Sequence, residues 1–242
     1  MTRAHPRSFR ILVPFAFIVA FGLFSCATCD RQEAKPSEPS DATPAPAVDP
    51  SSTDVVNESP DTSYAPPAGH EKPVKMKLSG TSNLYRINPT LWRGAQPEAD
   101  GFKELEKQGI KTIVNLRSEH SDDDLVKGTK LTPLWFKMKA SSPDDDVVFE
   151  FLKIALDPSR QPVFVHCKHG ADRTGMAIAS YRMVVDGWTN DAAYEEMTKG
   201  GFGFHSIWWD IKKFVKNFDA AAMRKRLTDA GVSVPTLAGQ TR

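Results

Sequence analysis

The chain has 242 residues and a net charge of +1 at neutral pH. This balance of charge gives no indication of nucleic-acid binding. The length allows one or two domains, but the composition of the first third excludes a packed core there, so we expect one domain of about 160 residues.

The N-terminus has the pattern of a bacterial secretion signal. An apolar stretch over residues 11–24 follows three basic residues, Arg3, Arg7 and Arg10. The stretch is shorter than the ~20 residues that an ordinary membrane-spanning helix needs. Residues 23–26 resemble a lipobox, which makes Cys26 the expected lipidation site and 1–26 a lipoprotein signal peptide. We therefore expect a periplasmic protein with a lipid anchor in the membrane; simple cleavage with release or secretion, or an uncleaved anchor, are the alternatives.

Residues 27–78 are predicted to form a disordered linker. Nine of the 18 prolines fall between residues 30 and 73, among many serine and aspartate residues and few large apolar side chains. Such a segment cannot bury enough surface to fold. The folded domain is therefore expected over 79–222, followed by a C-terminal tail over 223–242.

Strand and helix patterns alternate from residue 84 onward. Strands are predicted over 84–87, 91–93, 111–117, 134–138 and 162–166. Helices are predicted over 101–108, 143–157, 174–185, 191–199 and 206–218. This alternation is typical of an α/β fold, with a central, mostly parallel sheet flanked by helices. In such sheets, sites lie beyond the carboxyl ends of the strands, and here a strand leads directly into residues 166–175.

Residues 166–175 read His-Cys-Lys-His-Gly-Ala-Asp-Arg-Thr-Gly, which places Cys167 and Arg173 six positions apart between a strand and a helix. The backbone amides of such a loop, backed by a helix N-terminus, can bind phosphate oxygens. The predicted phosphate-binding residues are Lys168, His169, Gly170, Ala171, Asp172, Arg173 and Thr174.

The residue types at the two ends of this loop fit the hydrolysis of a phosphate ester. Positive potential at a helix N-terminus favours a thiolate, so Cys167 is expected to be the nucleophile. The planar guanidinium of Arg173 can bind two phosphate oxygens and stabilise the transferring phosphoryl group. We expect the Thr174 hydroxyl to donate to the Cys167 sulfur, and the His166 ring to orient the loop.

On these residues, the sequence resembles the dual-specificity branch of the cysteine-dependent protein tyrosine phosphatases, and in particular its secreted bacterial members. The resemblance covers approximately residues 80–220 and includes the segments 83–86, 91–97, 112–117, 181–185 and 196–203. It implies the cysteine-phosphatase fold, with Cys167 as the phosphocysteine nucleophile and Arg173 as the phosphate clamp. It also implies catalysis without a metal or another cofactor.

One position departs from the family pattern. The family uses an aspartate from a separate loop as general acid, and an ungapped match places Ala140 there. One of three nearby aspartates is the expected replacement, with Asp144 favoured over Asp145 and Asp146. Alternatively, residues 142–146 only begin a helix, with acidic side chains that complement the helix dipole. In that case the phosphatase is slow or favours good leaving groups.

Other polar residues have less specific patterns. Arg93 lies either at the rim of the site or, as we favour, in a surface turn, and residues 200–205 either border the substrate cleft or form a packed turn. The run from Asp122 to Asp124 is expected in a solvated acidic loop. Four histidines are scattered and predict no metal site: His5, His70, His120 and His205.

The sequence thus predicts a phosphatase that acts on phosphotyrosine in proteins, with phosphoserine and phosphothreonine as further substrates. The basic residues Lys168 and His169 also fit inositol phosphates, lipid head groups or other small phosphoesters. A third possibility, based on Ala140, is a tethered phosphate-binding module with little catalysis. No nucleic-acid partner is expected, and the sequence does not indicate an oligomeric state.

Overall fold

The computed structural model describes residues 64–237. Its strands are β1 (Val74–Lys75), β2 (Tyr85–Asn88), β3 (Leu91–Gly94), β4 (Thr112–Asn115), β5 (Thr132–Trp135) and β6 (Val163–His166). Its helices are α1 (Ala99–Lys107), α2 (Asp145–Leu156), α3 (Asp172–Val184), α4 (Asn190–Lys199), α5 (Trp209–Asn217) and α6 (Ala220–Asp229).

The strands form one sheet in the order β1-β2-β3-β6-β4-β5. Strands β3, β6, β4 and β5 are parallel to one another, whereas β1 and β2 add antiparallel pairs at one edge. β6 lies between β3 and β4, so that Phe164 pairs with Trp92 on one side and with Ile113 on the other. The predicted α/β fold with a mostly parallel sheet is confirmed, and the loop after β6 leaves the sheet near its centre.

Successive side chains of β6 enter two hydrophobic cores. Val163 and Val165 pack in the larger core, together with side chains from α2 to α6. Phe164 packs in the smaller core, with Phe102 and Leu105 of α1. Because neighbouring side chains of a strand point to opposite faces, the two cores cover the two faces of the sheet.

The helix after the loop, α3, is buried at every residue except Arg173. Its Arg182 forms a bidentate ion pair with Glu196 of α4, with nitrogen–oxygen distances of 2.9 and 3.0 Å, and a second pair with Asp186. A buried charge requires such partners, since removing either one would leave the other uncompensated. The pair fixes α4 against α3, and α4 leads into the segment 200–208, which returns to the loop.

The folded part begins before the predicted limit at residue 79. β1 lies within the predicted linker, yet it pairs with β2. Tyr64 is 3% exposed, and its ring lies 6.5 Å from that of Trp188. A single aromatic residue in a proline-rich stretch is a weak pattern, so composition alone did not reveal that this ring has a place in the core.

The folded part also continues past residue 222. The predicted tail over 223–242 contains most of α6, whose Met223 and Leu227 are buried in the larger core. Asp219 begins this helix by accepting a hydrogen bond from the Ala222 amide at 2.8 Å. The tail assignment is therefore wrong for residues 223–229, because two well-spaced apolar side chains are enough to hold the helix against the core.

The predicted signal peptide over 1–26, including Cys26, lies outside the described residues, as does the first part of the predicted linker. Within residues 64–237, none of the helices combines the length and the apolar character needed to cross a membrane.

Candidate active site

The phosphate loop, residues 167–173, connects the end of β6 to the first turn of α3. Cys167 is 1% exposed and packs among the side chains of the larger core. Arg173 is partly exposed. The strand fixes the first residue of the loop and the helix fixes the last. Two rigid elements therefore determine where Cys167 and Arg173 lie relative to each other. Helix N-termini also favour anions nearby.

The carbonyl groups of the loop are held from outside. Four successive carbonyl oxygens each contact a nitrogen: Cys167 with His166 Nδ1 (3.2 Å), Lys168 with the Gln96 amide (3.2 Å), His169 with Asn83 Nδ2 (2.9 Å) and Gly170 with Arg93 Nη2 (2.6 Å). In a trans peptide the C=O and the following N–H point in opposite directions. The amides of residues 168–171 therefore turn away from these partners, and no group of the described chain accepts from them. A curved row of free amides is an anion-binding surface.

Gly170 is required at the tightest point of this loop. Its φ is +67°, and a Cβ there would lie 2.3 Å from the Gly94 carbonyl carbon and 2.4 Å from the Ala95 nitrogen. Both contacts are with backbone, which cannot move aside as a flexible side chain can. The loop thus packs directly on the end of β3, at a positive φ that glycine tolerates because it has no Cβ.

Arg93 is fully buried behind the loop, which corrects the favoured expectation of a surface turn. Its Nη2 donates to the Gly170 carbonyl, and its guanidinium lies 3.9 Å from the ring centre of Phe202. Burial lowers the pKa of Arg93 to about 10, so the side chain stays positive at neutral pH. It therefore adds a fixed positive charge beneath the phosphate loop as well as a hydrogen bond.

His166 is oriented by a chain of polar side chains that begins in the buried interior. Its Nε2 donates to Asp122 Oδ2 at 2.8 Å, and Asp122 Oδ1 accepts from Gln96 Nε2 at 2.9 Å. Arg117 in turn donates to Gln96 Oε1 at 2.9 Å. These contacts show what orients the His166 ring, and its expected role in orienting the loop stays a prediction. The expectation for Asp122 was wrong, because it is 2% exposed and paired, unlike its exposed neighbour Asp123.

The Arg173 guanidinium is positioned by backbone. Its Nη1 donates to the carbonyl oxygens of Leu116, at 3.2 Å, and Met138, at 3.0 Å. Within residues 64–237 its other nitrogens have no recorded partner, which leaves one edge of the guanidinium for two phosphate oxygens. The hydroxyl of Thr174 is buried and has no partner among the described residues, so the expected donation to Cys167 is not formed in this conformation.

The position expected for the general acid carries no carboxylate. Ala140 is buried beside the core, two residues after the carbonyl that holds Arg173. Asp144 caps α2, where its side chain accepts from the Asp146 amide at 2.8 Å. This matches the alternative that the sequence left open, and the assignment of Asp144 as acid stays a prediction. Burial, and then the neighbouring Asp144 charge, raise the pKa of Asp145.

A cavity of about 490 Å³ lies between α2, α5 and α6, and its lining includes Asp145, Lys213 and Arg226. No residue of the phosphate loop lines it. We therefore place the candidate site at the loop and not in this cavity, since the loop combines a cysteine thiol with anion-binding groups.

Three further side chains meet at the edge of the loop. Asp172 is buried and accepts from the His205 backbone amide at 2.8 Å and from His205 Nδ1 at 2.9 Å. The ring of His169 is exposed and lies 5.2 Å from that of His205. Partial burial, and then His205, lower the pKa of His169. The expectation that His205 is isolated was therefore wrong, because the segment 200–208 brings it to the loop.

Comparisons with known proteins agree with this geometry. A family model described as "DSP-PTPase phosphatase fused to NAD+ Kinase" matches residues 72–216. The dual specificity protein phosphatase TpbA of Pseudomonas aeruginosa PAO1 is 37% identical over 153 residues, or 62% of this chain and 69% of TpbA. The inositol diphosphatase DSP3 of Arabidopsis thaliana is 25% identical over 160 residues, or 62% of this chain and 76% of that protein.

A solved structure supports the same family relationship. A crystal structure of P. aeruginosa TpbA, as a cysteine-to-serine variant in complex with pTyr, matches with a TM-score of 0.56 and 33% identity. The match covers 64% of this chain and 95% of that chain. The chain therefore belongs to the DSP-PTPase family and is a cysteine-dependent phosphatase.

Proposed function

We propose that this phosphatase hydrolyses phosphotyrosine in proteins, with phosphoserine and phosphothreonine as a second class of substrate, through a phosphocysteine intermediate. The observation that carries the proposal is that the amides of residues 168–171, which follow Cys167 and precede Arg173 in the loop, have no acceptor within residues 64–237. The similarity to TpbA, whose structure is solved with pTyr, supports phosphotyrosine as the substrate.

The first chemical step transfers the phosphoryl group to sulfur. The Cys167 thiolate attacks phosphorus, a sulfur–phosphorus bond forms, and the bond from phosphorus to the tyrosine oxygen breaks. The general acid, which we assign to Asp144, gives its proton to the leaving phenolate oxygen. The amides of residues 168–171 and Arg173 stabilise the charge on the three equatorial oxygens.

The second step regenerates the enzyme. Water attacks phosphorus and gives a proton to the carboxylate that acted as acid, and the sulfur–phosphorus bond breaks. The sulfur leaves as a thiolate, and phosphate departs. The Thr174 hydroxyl is buried and has no partner within residues 64–237, so it is free to donate to the sulfur as it leaves.

A second candidate substrate class is the inositol phosphates. Lys168 and His169 are exposed on the loop, where they add basic groups beside the anion site. Their charge would favour a substrate with several phosphates. The similarity to the inositol diphosphatase DSP3 favours the same class, although at lower identity than that to TpbA.

Kinetics on matched substrates test the proposal. We expect a phosphotyrosine peptide to have a higher kcat/KM than inositol phosphates. The variant Cys167→Ser should lose turnover of both while it still binds the phosphopeptide, because the amides and Arg173 remain. A higher kcat/KM for the inositol phosphates would reject the substrate assignment, and turnover by the serine variant would reject the nucleophile.

We further propose that the protein is periplasmic and anchored to the membrane through lipid on Cys26. The support is the sequence pattern alone: basic residues, a short apolar stretch and a lipobox-like Leu-Phe-Ser-Cys at residues 23–26. A phosphatase placed there would act on phosphoproteins or small phosphoesters outside the cytoplasm.

A further inference from the structure

Two histidines and an aspartate meet at the outer edge of the phosphate loop. His169 and Asp172 belong to the loop, whereas His205 comes from the segment 200–208. One donor atom of each side chain lies within 4.8 Å of the other two. Their side chains take no part in the chemistry proposed above for Cys167 and Arg173.

We propose that His169, Asp172 and His205 form a binding site for a divalent transition-metal ion of the zinc class. Two imidazole nitrogens and one carboxylate oxygen are ligands that zinc binds in proteins, with a fourth position open to water or substrate. Two neutral imidazoles and one carboxylate carry a single negative charge, which suits a divalent cation. Ions that prefer oxygen ligands alone, such as calcium and magnesium, fit this set poorly.

The geometry requires only small movements of exposed side chains. Tetrahedral zinc with bonds of about 2.0–2.1 Å separates its donors by about 3.3 Å, so atoms up to 4.8 Å apart must approach by about 1.5 Å. The His205 side chain is 47% exposed and His169 is exposed, so both rings can turn. Asp172 is buried in the first turn of α3 and supplies the fixed ligand.

The bound ion would connect two segments that are already linked by hydrogen bonds from His205 to Asp172 and from Asn83 to His169 and Phe202. It would hold the segment 200–208 against the loop and place a positive charge beside the anion site. The simpler alternative is an ion pair between Asp172 and His205 alone. That alternative gives His169 no role, and the two cases therefore differ at His169.

Zinc titration of the full chain distinguishes these cases. The chain used should lack all thiols, with Cys26→Ser, Cys29→Ser and Cys167→Ser, so that zinc cannot bind to sulfur. Isothermal titration with zinc should show saturable binding of one ion per chain. His169→Ala and His205→Ala should each weaken the affinity about tenfold or more, since each removes a direct ligand.

The matched control is His120→Asn, which removes an exposed histidine outside the cluster and keeps a residue that tolerates its φ of +69°. We expect it to bind zinc as the parent does. No saturable binding by the parent, or unchanged affinity in His169→Ala, would overturn the proposal. His169→Ala tests it even if His205→Ala does not fold, because the His169 side chain makes no hydrogen bond within residues 64–237. The thiol-free chain has no nucleophile, so the result is independent of the substrate assignment.

Discussion

At the scale of single residues, Gly170 illustrates how the loop depends on close backbone contact. Gly170→Ala introduces a side chain at positive φ and a Cβ within 2.4 Å of the backbone of residues 94–95. The conformational strain alone costs about 1–2 kcal/mol. The steric conflict adds to it, so we expect a larger loss of unfolding free energy in urea, together with loss of phosphatase activity.

Gly128→Ala is the matched control for this prediction. Gly128 has a φ of +82° but nothing within 4 Å of its would-be Cβ. The Gly128→Ala variant should lose only the unfolding free energy that backbone strain costs, and it should keep its phosphatase activity. Equal losses of stability in the two variants would mean that the contact between Gly170 and residues 94–95 is not a constraint.

Asp144 can be tested without disturbing α2, because asparagine caps helices as well as aspartate does. Asp144→Asn should lower kcat for a phosphotyrosine peptide by about 10²–10⁴-fold, the usual contribution of a general acid. The effect should be much smaller for an aryl phosphate whose leaving phenol is acidic. Asp146→Asn, which changes an exposed neighbour on the same turn, is the control. If Asp144→Asn keeps full activity on the peptide, Asp144 is only a helix cap.

The sequence predicted that Cys167 and Arg173 share one loop, but not which residues hold that loop in place. Cys167 and Arg173 lie in one continuous string, so their relation was visible from spacing alone. Arg93 and Asp122 lie 77 and 44 positions from the residues they contact, Gly170 and His166. A lone arginine in a turn and an acidic run are usually solvated, and only the folded sheet shows that these two are buried.

At the scale of secondary structure, α6 tests where the domain ends. Leu227 is fully buried in the larger core, although α6 follows the region matched by the family model. Leu227→Ala should destabilise the protein by about 2–5 kcal/mol, the usual cost of removing a buried leucine side chain. Thermal or urea unfolding would measure this loss.

Leu125→Ala removes the same atoms from a side chain that is 36% exposed. It should cost about 1 kcal/mol or less, since little apolar surface leaves the core. If Leu227→Ala costs no more than this control, α6 is not part of the cooperative fold.

Elements whose apolar side chains recur with a clear strand or helix spacing were predicted well. Elements in which this spacing is weak were missed. The strand before the loop and the helix after it were predicted within about two residues of β6 and α3, the usual uncertainty at helix ends. β1 has only two residues and α6 buries only Met223 and Leu227, so neither gave a clear signal. The positions of β1 and α6 depend on the parts of the domain against which they pack. The local sequence of each element does not show those contacts.

At the scale of the whole molecule, the lipid anchor is the main untested expectation. We expect the full chain, expressed in a Gram-negative bacterium, to fractionate with the membrane and to incorporate labelled palmitate. Cys26→Ser should move it to the soluble fraction without incorporated label, whereas Cys29→Ser should behave as the parent. Membrane association that survives Cys26→Ser would favour the uncleaved apolar anchor instead.

The central position of β6 has a consequence for heat inactivation. Because hydrogen-bonded neighbours flank this strand on both sides, its amides should exchange with deuterium only when the entire molecule opens. Partial fraying at the sheet edge or at the last helix would leave Cys167 in register with Arg173. Loss of turnover on heating should therefore coincide with the cooperative melting transition, instead of preceding it.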